Sequence, residues 1–220
     1  MIKYFVALLF LLPIGVQAQK VSKYRINYSH TEAYSYRKLV AETEFQSMAD
    51  TLNALEEGLR AMSHSNSISR ILSNNFEISA GLGWSSFGER IDTNVSLGLI
   101  SYRSVYKSVD VPVMLHKIWR NGKSLNYVLG IGASYSLLQS HDVTYRLINS
   151  NYQVSERAMN GLNRGYATVR LELGIRYAID QKWLIELGIQ GKYSLTSISQ
   201  NAMKRYPYQA GILLSLSRNF

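Results

Sequence analysis

The sequence has no cysteine, only three prolines, and charged side chains at 18% of its 220 positions. Without cysteine, the chain can form neither disulfides nor thiolate metal sites, and it has no thiol nucleophile or lipoprotein anchor. The four histidines show no HxH or HExxH spacing, so we predict no metal site and no cofactor. The scarcity of proline favours long uninterrupted elements. An apolar content of 46% excludes wholesale disorder.

Residues 1–18 are predicted to be a secretory signal peptide. Lys3 gives a basic start, residues 4–12 form an apolar core, and Ala18 closes a small-residue cleavage site. The apolar run is too short for a good membrane span, which makes an uncleaved anchor the weaker alternative. We therefore expect the mature chain to leave the cytoplasm. Outside the cytoplasm it should not meet nucleic acid.

Residues 19–70 are predicted to form a periplasmic extension. Its basic residues (Lys20, Lys23, Arg25, Arg37 and Lys38) are expected to face anionic lipid headgroups. Apolar residues then recur in steps of three and four, which predicts a helix over about 42–63. The helix face comprises Phe45, Met48, Leu52, Leu55, Leu59 and Met62. We expect this face to pack on the barrel or bind an envelope partner, with self-association as the alternative.

Residues 71–220 alternate between apolar and polar side chains, which predicts β-strands. Six strands are evident, over about 73–87, 106–120, 124–139, 165–179, 183–196 and 207–220. They run eleven residues or more, against the usual 5–6, and are long enough for a transmembrane strand, which needs about 9–11 residues. We predict an all-β fold, a transmembrane antiparallel up-and-down β-barrel of about eight strands. Residues 20–36 and 94–106 are candidates for further strands, although 94–106 also fits as an extension of the strand that follows.

Three features favour a membrane barrel over a soluble, lipocalin-like barrel. Aromatic residues lie near strand ends, as interfacial girdles require; they are Trp84, Trp119, Tyr177, Trp183, Tyr193, Tyr208 and Phe220. Short connections at 121–123 and 180–182 alternate with long ones at 140–163 and 197–205, as in outer-membrane barrels. The C-terminal Phe220 is the kind of signal that the barrel assembly machinery recognises. We therefore expect the outer membrane as the location.

Apolar side chains on paired strands must lie on the same face of the sheet, and this requirement predicts the register at both short turns. A three-residue loop at 121–123 would pair Trp119 with Leu125 and would keep apolar faces together. A three-residue loop at 180–182 would pair Arg176 with Glu186.

The polar face of the strands predicts a lumen in which charged side chains pair and plug a narrow barrel. The predicted network comprises Glu77, Asp110, His116, Arg170, Glu172, Arg176, Glu186 and Lys192. A selective pore is the alternative. A Ser140–His141 pair at the outer rim raises the weaker alternative of a lipid-modifying enzyme, but adjacent Asp142 is the only acidic partner.

Residues 109–115 (VDVPVML) and Gly130, Gly132, Tyr135 and Leu137 carry a family resemblance. Together with FEISAGLGWSSFGER, they resemble the PorT-like outer-membrane β-barrel family of Bacteroidetes over roughly 74–220. The resemblance implies a barrel without shared catalytic residues, and some members of the family belong to gliding and secretion machinery. Two early strands usual in the family are not evident in this sequence.

The expected function is that of a non-enzymatic scaffold or interaction protein of the cell envelope, linked to secretion or envelope assembly. The expected partners are outer-membrane lipids, the assembly machinery through Phe220, and an envelope protein through the N-terminal helix.

Overall fold

The computed structural model describes residues 23–73, 75–95, 98–121, 124–147 and 153–220, so the predicted signal peptide lies outside the described residues. Most of the described chain is β-strand. The strands are β1 (Tyr24–Val40), β2 (Glu56–Ser73), β3 (Phe76–Val95), β4 (Gly98–Asn121), β5 (Leu125–Leu147), β6 (Gln153–Arg157), β7 (Gly165–Ala178), β8 (Trp183–Ser194) and β9 (Lys204–Asn219). A 3₁₀ turn (Thr43–Phe45) and one helix, α1 (Gln46–Leu55), join β1 to β2.

Eight of the strands close into an antiparallel ring. Each pairs with its neighbour in the order β1-β2-β3-β4-β5-β7-β8-β9, and β9 pairs with β1 to close the barrel. β6 stands outside the ring and pairs only with the far end of β5. The predicted up-and-down barrel of about eight strands is confirmed.

One row of paired residues shows how steeply the strands tilt. Starting at Tyr127 on β5, the row crosses Ile175, Leu187, Leu214, His30, His64, Trp84 and Val109, and it returns to β5 at Leu137. The row therefore climbs ten residues along β5 in one circuit. Such a stagger is the shear that closing a sheet into a barrel requires.

The barrel is polar inside and apolar outside. Inward residues such as Glu77, Asp110 and Arg176 are at most 4% exposed, whereas outward Leu187 and Ile189 are each 59% exposed. A soluble barrel would have the reverse arrangement, because water would face its outer surface. An apolar outer band around a polar interior is the pattern of a transmembrane β-barrel, and the protein lies in the outer membrane. None of the described helices is long and apolar enough to span a bilayer.

The predicted boundary between a periplasmic extension (19–70) and the barrel (71–220) is wrong. β1 pairs with β9 along its whole length, and β2 pairs with both β1 and β3. These two strands complete the ring of eight. Arg25 and Arg37, expected at lipid headgroups, point into the lumen and are each 7% exposed.

The predicted helix over 42–63 is wrong in its second half. α1 ends at Leu55, and the chain continues as β2 from Glu56. Leu59 and Met62 fit the helical spacing, but the strand places them on opposite faces, with Ala61 fully buried and Met62 44% exposed. The mostly polar residues that follow, Ser63 to Ser69, pair with β1 and β3, and this sheet pairing overrides the helical spacing.

The helix also lies at the opposite end of the barrel from the one predicted. The connections β2–β3, β4–β5 and β7–β8 are short and share one end with Tyr24 and Phe220. α1 lies at the other end, where β5–β7 and β8–β9 are joined by long connections and β3–β4 by a short one. Short turns face the periplasm in outer-membrane barrels. We therefore place α1 at the extracellular end, which corrects the periplasmic assignment.

The two turn registers have different outcomes. The pair Arg176–Glu186 is present, as predicted. At the other turn Trp119 pairs with Tyr127 and Asn121 with Leu125, so the predicted Trp119–Leu125 pair is wrong by two residues. A shift of two residues in the pairing leaves every side chain on the same face of the sheet. The apolar pattern specifies only the face of each side chain, not the register. Residues 98–106 form the outer part of β4 rather than a separate strand.

Candidate functional site

The part of the lumen nearest the short turns contains an inner charge cluster, defined as Arg25, Glu77, His116, Glu172, Arg176 and Glu186. Glu77 accepts two hydrogen bonds from Arg176 at 3.0 Å each and one from Arg25 at 2.5 Å. Arg176 also donates to Glu186 at 2.8 Å. Alternation places all of these side chains inward, so that each buried charge meets an opposite one.

Within the inner charge cluster, His116 on β4 lies between Glu77 on β3 and Glu172 on β7. Its Nε2 lies 3.1 Å from Glu172, and its Nδ1 lies 3.7 Å from Glu77. Glu172 also accepts a hydrogen bond from Gln190 at 2.6 Å. Gly130 leaves room for the imidazole, because a Cβ there would lie 2.6 Å from His116 Cδ2.

A central charge cluster lies one step further along the lumen, formed by Asp110, Arg170 and Lys192. Asp110 Oδ2 accepts hydrogen bonds from Lys192 at 2.7 Å and from Arg170 at 2.8 Å. Ser85 and Ser108 donate to the same carboxylate. The carboxylate is 1% exposed and fully used by protein donors, so it is not available to a ligand.

Above the charges, the outer half of the lumen is filled by an aromatic layer of Phe87, Tyr106, His141 and Tyr166. Tyr106 is stacked between Phe87 at 4.9 Å and His141 at 4.2 Å, measured between ring centroids. Leu138, Leu162 and Ile198 belong to the same buried apolar cluster as these aromatic rings. Tyr166 donates to Ser108 and thereby joins the aromatic layer to the central charge cluster.

An outer charge cluster of Arg37, Glu56, Glu89 and Arg205 closes the extracellular mouth. Arg37 lies 3.2 Å from Glu56 and 3.0 Å from Glu89, and Arg205 donates to the Tyr106 hydroxyl at 2.9 Å. Burial raises the pKa of Glu56 to about 7, although Arg37 opposes the shift. Burial also raises the pKa of Glu89. Both carboxyls lie beyond the outer aromatic girdle, where the mouth meets water.

The lumen has no room for an aqueous path through the described part of the chain. A cavity of about 40 Å³ lies beside the inner charge cluster, lined by residues including Asn27, His116 and Ser215. That volume holds about one to three water molecules. The aromatic layer above it is closed, with Tyr106 and Tyr166 each 1% exposed.

The structure brings together the eight residues of the predicted lumen network, in the inner and central charge clusters. Sequence reasoning missed Arg25, Arg37, Glu56 and Glu89. Arg25 and Arg37 lie on β1, whose odd-numbered residues (Asn27, Ser29, Thr31, Ala33 and Ser35) form a regular face of small or polar side chains. That period of two was the available signal.

The seven predicted girdle aromatics all point outward and form two levels. Trp119, Tyr177, Trp183 and Phe220 lie at the short-turn end, and Trp84, Tyr193 and Tyr208 lie towards the long connections. Arg218 lies over the rings of Trp183 and Phe220, at 5.4 and 5.6 Å from their centroids. Phe220 is 57% exposed, and its N–H donates to the Tyr24 carbonyl.

The Ser140–His141 pair is not assembled as a hydrolytic dyad. His141 Nε2 lies 2.7 Å from Ser104, and its Nδ1 lies 2.5 Å from the Ala158 carbonyl oxygen. Ser140 instead donates to Asp142. Burial lowers the pKa of His141, which favours the neutral ring. Ser104 is fully buried, so a substrate has no access to its hydroxyl.

The predicted helix face is divided between two elements. Phe45, Met48, Leu52 and Leu55 lie on the 3₁₀ turn and α1, whereas Leu59 and Met62 lie on β2. Asn53 anchors α1 to the end of β1, accepting from the Leu39 N–H and donating to the Leu39 carbonyl. Among the described residues, no group of three or more His, Asp or Glu side chains is arranged to hold a metal ion.

No protein-family model matches the chain, and no curated protein matches it significantly. Among solved structures, the chain is similar to Neisserial surface protein A (NspA), with 9% identity, a TM-score of 0.49, and coverage of 90% of this chain and 98% of that one. It is similar to OprG of Pseudomonas aeruginosa, with 11% identity, a TM-score of 0.46, and coverage of 94% and 99%. For Ail of Yersinia pestis the values are 11%, 0.33, 87% and 97%. The barrel assignment rests on the strand pairing described above.

Proposed function

We propose that this chain is a closed outer-membrane barrel that acts as a non-enzymatic scaffold or interaction protein of the cell envelope. The observation that carries the proposal is the filled lumen. Among the described residues, three clusters of paired charges and one layer of packed aromatic rings fill it, and the cavity beside the inner charge cluster measures about 40 Å³. A filled lumen does not conduct ions or solutes, so we assign the function to the outer surfaces of the barrel.

The extracellular end offers an extended surface for partners. β4 has 24 residues, more than twice the length that about 9–11 residues provide for a transmembrane strand. The outer parts of β3, β4 and β5, with β6, thus rise above the membrane. Phe45, Met48 and Leu55 present exposed apolar side chains beside them, and we propose this apolar face as a site for an envelope protein.

Two further partners belong to the proposal. Outer-membrane lipids contact the outward apolar band, and the assembly machinery recognises the exposed Phe220. The resemblance of residues 74–220 to the PorT-like family supports a link to secretion or envelope assembly. That link predicts reduced export of secreted proteins in a strain that lacks the chain, restored by the wild-type gene; unchanged export would refute it.

Conductance in planar bilayers tests the closed state. The folded protein, verified by heat-modifiable migration on a gel, should give no single-channel steps. A double substitution, Phe87→Ala with Tyr106→Ala, opens the aromatic layer and should raise the leak. Leu187→Ala, on the outward face, is the matched control and should not raise it. Regular ion-selective steps from the wild-type protein would favour the pore alternative.

A second test addresses the enzymatic alternative. The wild-type chain in outer-membrane vesicles should not change the lipid composition over time. If it does, and His141→Ala abolishes the change, the Ser/His alternative is correct and the non-enzymatic proposal fails.

A further inference from the structure

The outward face of β1 and β2 is unlike the rest of the barrel perimeter. It carries six polar side chains, here named the β1–β2 polar patch: Tyr28, His30, Glu32, Arg60, His64 and Asn66. All of them point away from the lumen, because the inward positions of β1, and of β2 from Leu59 onward, are the odd-numbered ones. Elsewhere the outward band consists mainly of leucine, isoleucine, valine and aromatic residues.

The register places this patch within the membrane. His30 is the fifth of nine residues in the row that climbs from Tyr127 to Leu137, so it lies midway up the outward band. His30 and His64 interrupt a row whose other members are all apolar or aromatic. Ionisable side chains at this depth are rarely left to lipid and pair with other protein groups.

Within one chain, the patch is only partly satisfied. Glu32 accepts hydrogen bonds from Arg60 at 2.9 and 2.5 Å, and it lies 3.5 Å from His30. His64 Nδ1 lies 3.1 Å from Tyr28 Oη and 3.2 Å from His30 Nδ1. The Asn66 side chain has no hydrogen-bond partner among the described residues, and Arg60 remains 69% exposed.

We propose that the β1–β2 polar patch is the contact surface of a symmetric dimer, in which a second copy of this chain covers it within the membrane. Two copies inserted in the same direction are related by a two-fold axis along the membrane normal. This axis keeps every residue at its depth and brings β1 of one copy against β2 of the other.

The patch is complementary to itself under that symmetry. Tyr28 pairs with Asn66 across the strands, and His30 with His64. Because the row climbs ten residues over eight steps, the two members of each pair differ in depth by little more than one residue. In the dimer Tyr28 faces Asn66 of the partner subunit, and His30 faces His64 of the partner subunit. Glu32 comes opposite Arg60 of the partner subunit. Polar contacts of this kind join membrane-embedded surfaces, where association gains little from the hydrophobic effect.

Cross-linking tests the dimer in native membranes, and the cysteine-free chain gives no background. Asn66→Cys lies at the contact surface, and Leu171→Cys is the control at similar depth on β7, opposite β2 in the ring. With a short bis-maleimide, Asn66→Cys should give a product of twice the monomer mass, about tenfold more than the control; tenfold corresponds to about 1.4 kcal/mol. Equal yields, no product, or a product with another protein would overturn the proposal.

A charge-swap experiment identifies the occupant. In the Asn66→Cys background, Glu32→Arg should lower the yield of cross-linked dimer about tenfold. Arg60→Glu should lower it to the same extent. Co-expressed and differently tagged, the two variants should cross-link to each other at nearly the original yield, because each arginine then faces a glutamate. Heat-modifiable migration verifies that each barrel is folded. Failure of the mixture to recover would exclude a second copy as the occupant.

Discussion

Glu77 accepts hydrogen bonds from two buried arginines, and its loss should be costly. Glu77→Gln leaves Arg25 and Arg176 buried without their shared anion, for which we expect a loss of about 3–5 kcal/mol in the free energy of unfolding. Glu172→Gln is the matched control. Glu172 contacts only His116 and Gln190 among the described side chains, so about 1 kcal/mol is expected. Urea unfolding in lipid vesicles measures both; equal losses would contradict this reading of the inner charge cluster.

Glu56 should make the outer mouth sensitive to pH. Its pKa rises from 4.5 to about 7 in the folded state because it is buried, with Arg37 and Glu89 as its charged neighbours. A raised carboxyl pKa stabilises the closed mouth below about pH 4.5, and this contribution is lost as the pH rises through 7. Hydrogen exchange at the start of β2 should therefore quicken between pH 5 and 8 beyond its intrinsic pH dependence.

Two neutral substitutions separate the effect of Glu56 from that of its surroundings. Glu56→Gln keeps an acceptor for the Arg37 N–H and should remove most of the excess pH dependence. A smaller slope should remain, because the pKa of Glu89 is also raised. Glu57→Gln, at the exposed neighbouring position, should leave the profile unchanged. A Glu56→Gln profile identical to that of the wild type would assign the titration to another group.

At the scale of elements, β1 closes the barrel against β9, and Gly211 permits that contact. A Cβ at Gly211 would overlap the Glu32 carbonyl oxygen and lie 2.5 Å from Ala33 Cα, both on β1. Gly211→Ala should therefore destabilise the barrel by about 1–3 kcal/mol. A Cβ at Gly191, on neighbouring β8, would meet no atom within 4 Å, so Gly191→Ala should be nearly neutral. Thermal midpoints of heat-modifiable migration compare the two; similar midpoints would mean that the β1–β9 contact relaxes freely.

The sequence pattern was sufficient for six strands and insufficient for β1 and β2, for a physical reason. β5 and β8 alternate between apolar and small or polar side chains because lipid covers one face. β1 and β2 carry Tyr28, His30 and Asn66 on the outward face and serines inside, so no apolar period marks them. Leu55, Leu59 and Met62 then continue the helical spacing of α1 into β2 by coincidence.

Lumen residues could be predicted from the sequence only on those strands that the sequence pattern had identified. Residues of β3, β4, β7 and β8 were assigned to the lumen by parity alone, which is reliable once a strand is recognised. Their partners on β1 and β2, Arg25, Arg37 and Glu56, could not be assigned without those strands. The contact between His141 and Ser104 depends on the register shift in β5 near Ser140, which no apolar pattern encodes.

For the whole molecule, the distribution of charge differs from what the net value of +9 suggests. The lumen clusters contain as many strongly basic side chains as acidic ones (Arg25, Arg37, Arg170, Arg176, Lys192 and Arg205; Glu56, Glu77, Glu89, Asp110, Glu172 and Glu186). Among the described residues, the surplus of positive charge is therefore carried outside the lumen. We propose that it contacts anionic lipid headgroups at the two rims of the barrel.

Orientation is the whole-molecule property that decides which surface a partner meets, and the missing cysteine makes it measurable. Met48→Cys places one thiol on α1, and Gln181→Cys places one in the short β7–β8 turn, where both positions are exposed. Because short turns face the periplasm, a maleimide polymer too large for porins should label Met48→Cys on intact cells. It should label Gln181→Cys only after the outer membrane is permeabilised. The reverse pattern would return α1 to the periplasm and would move the proposed partner site with it.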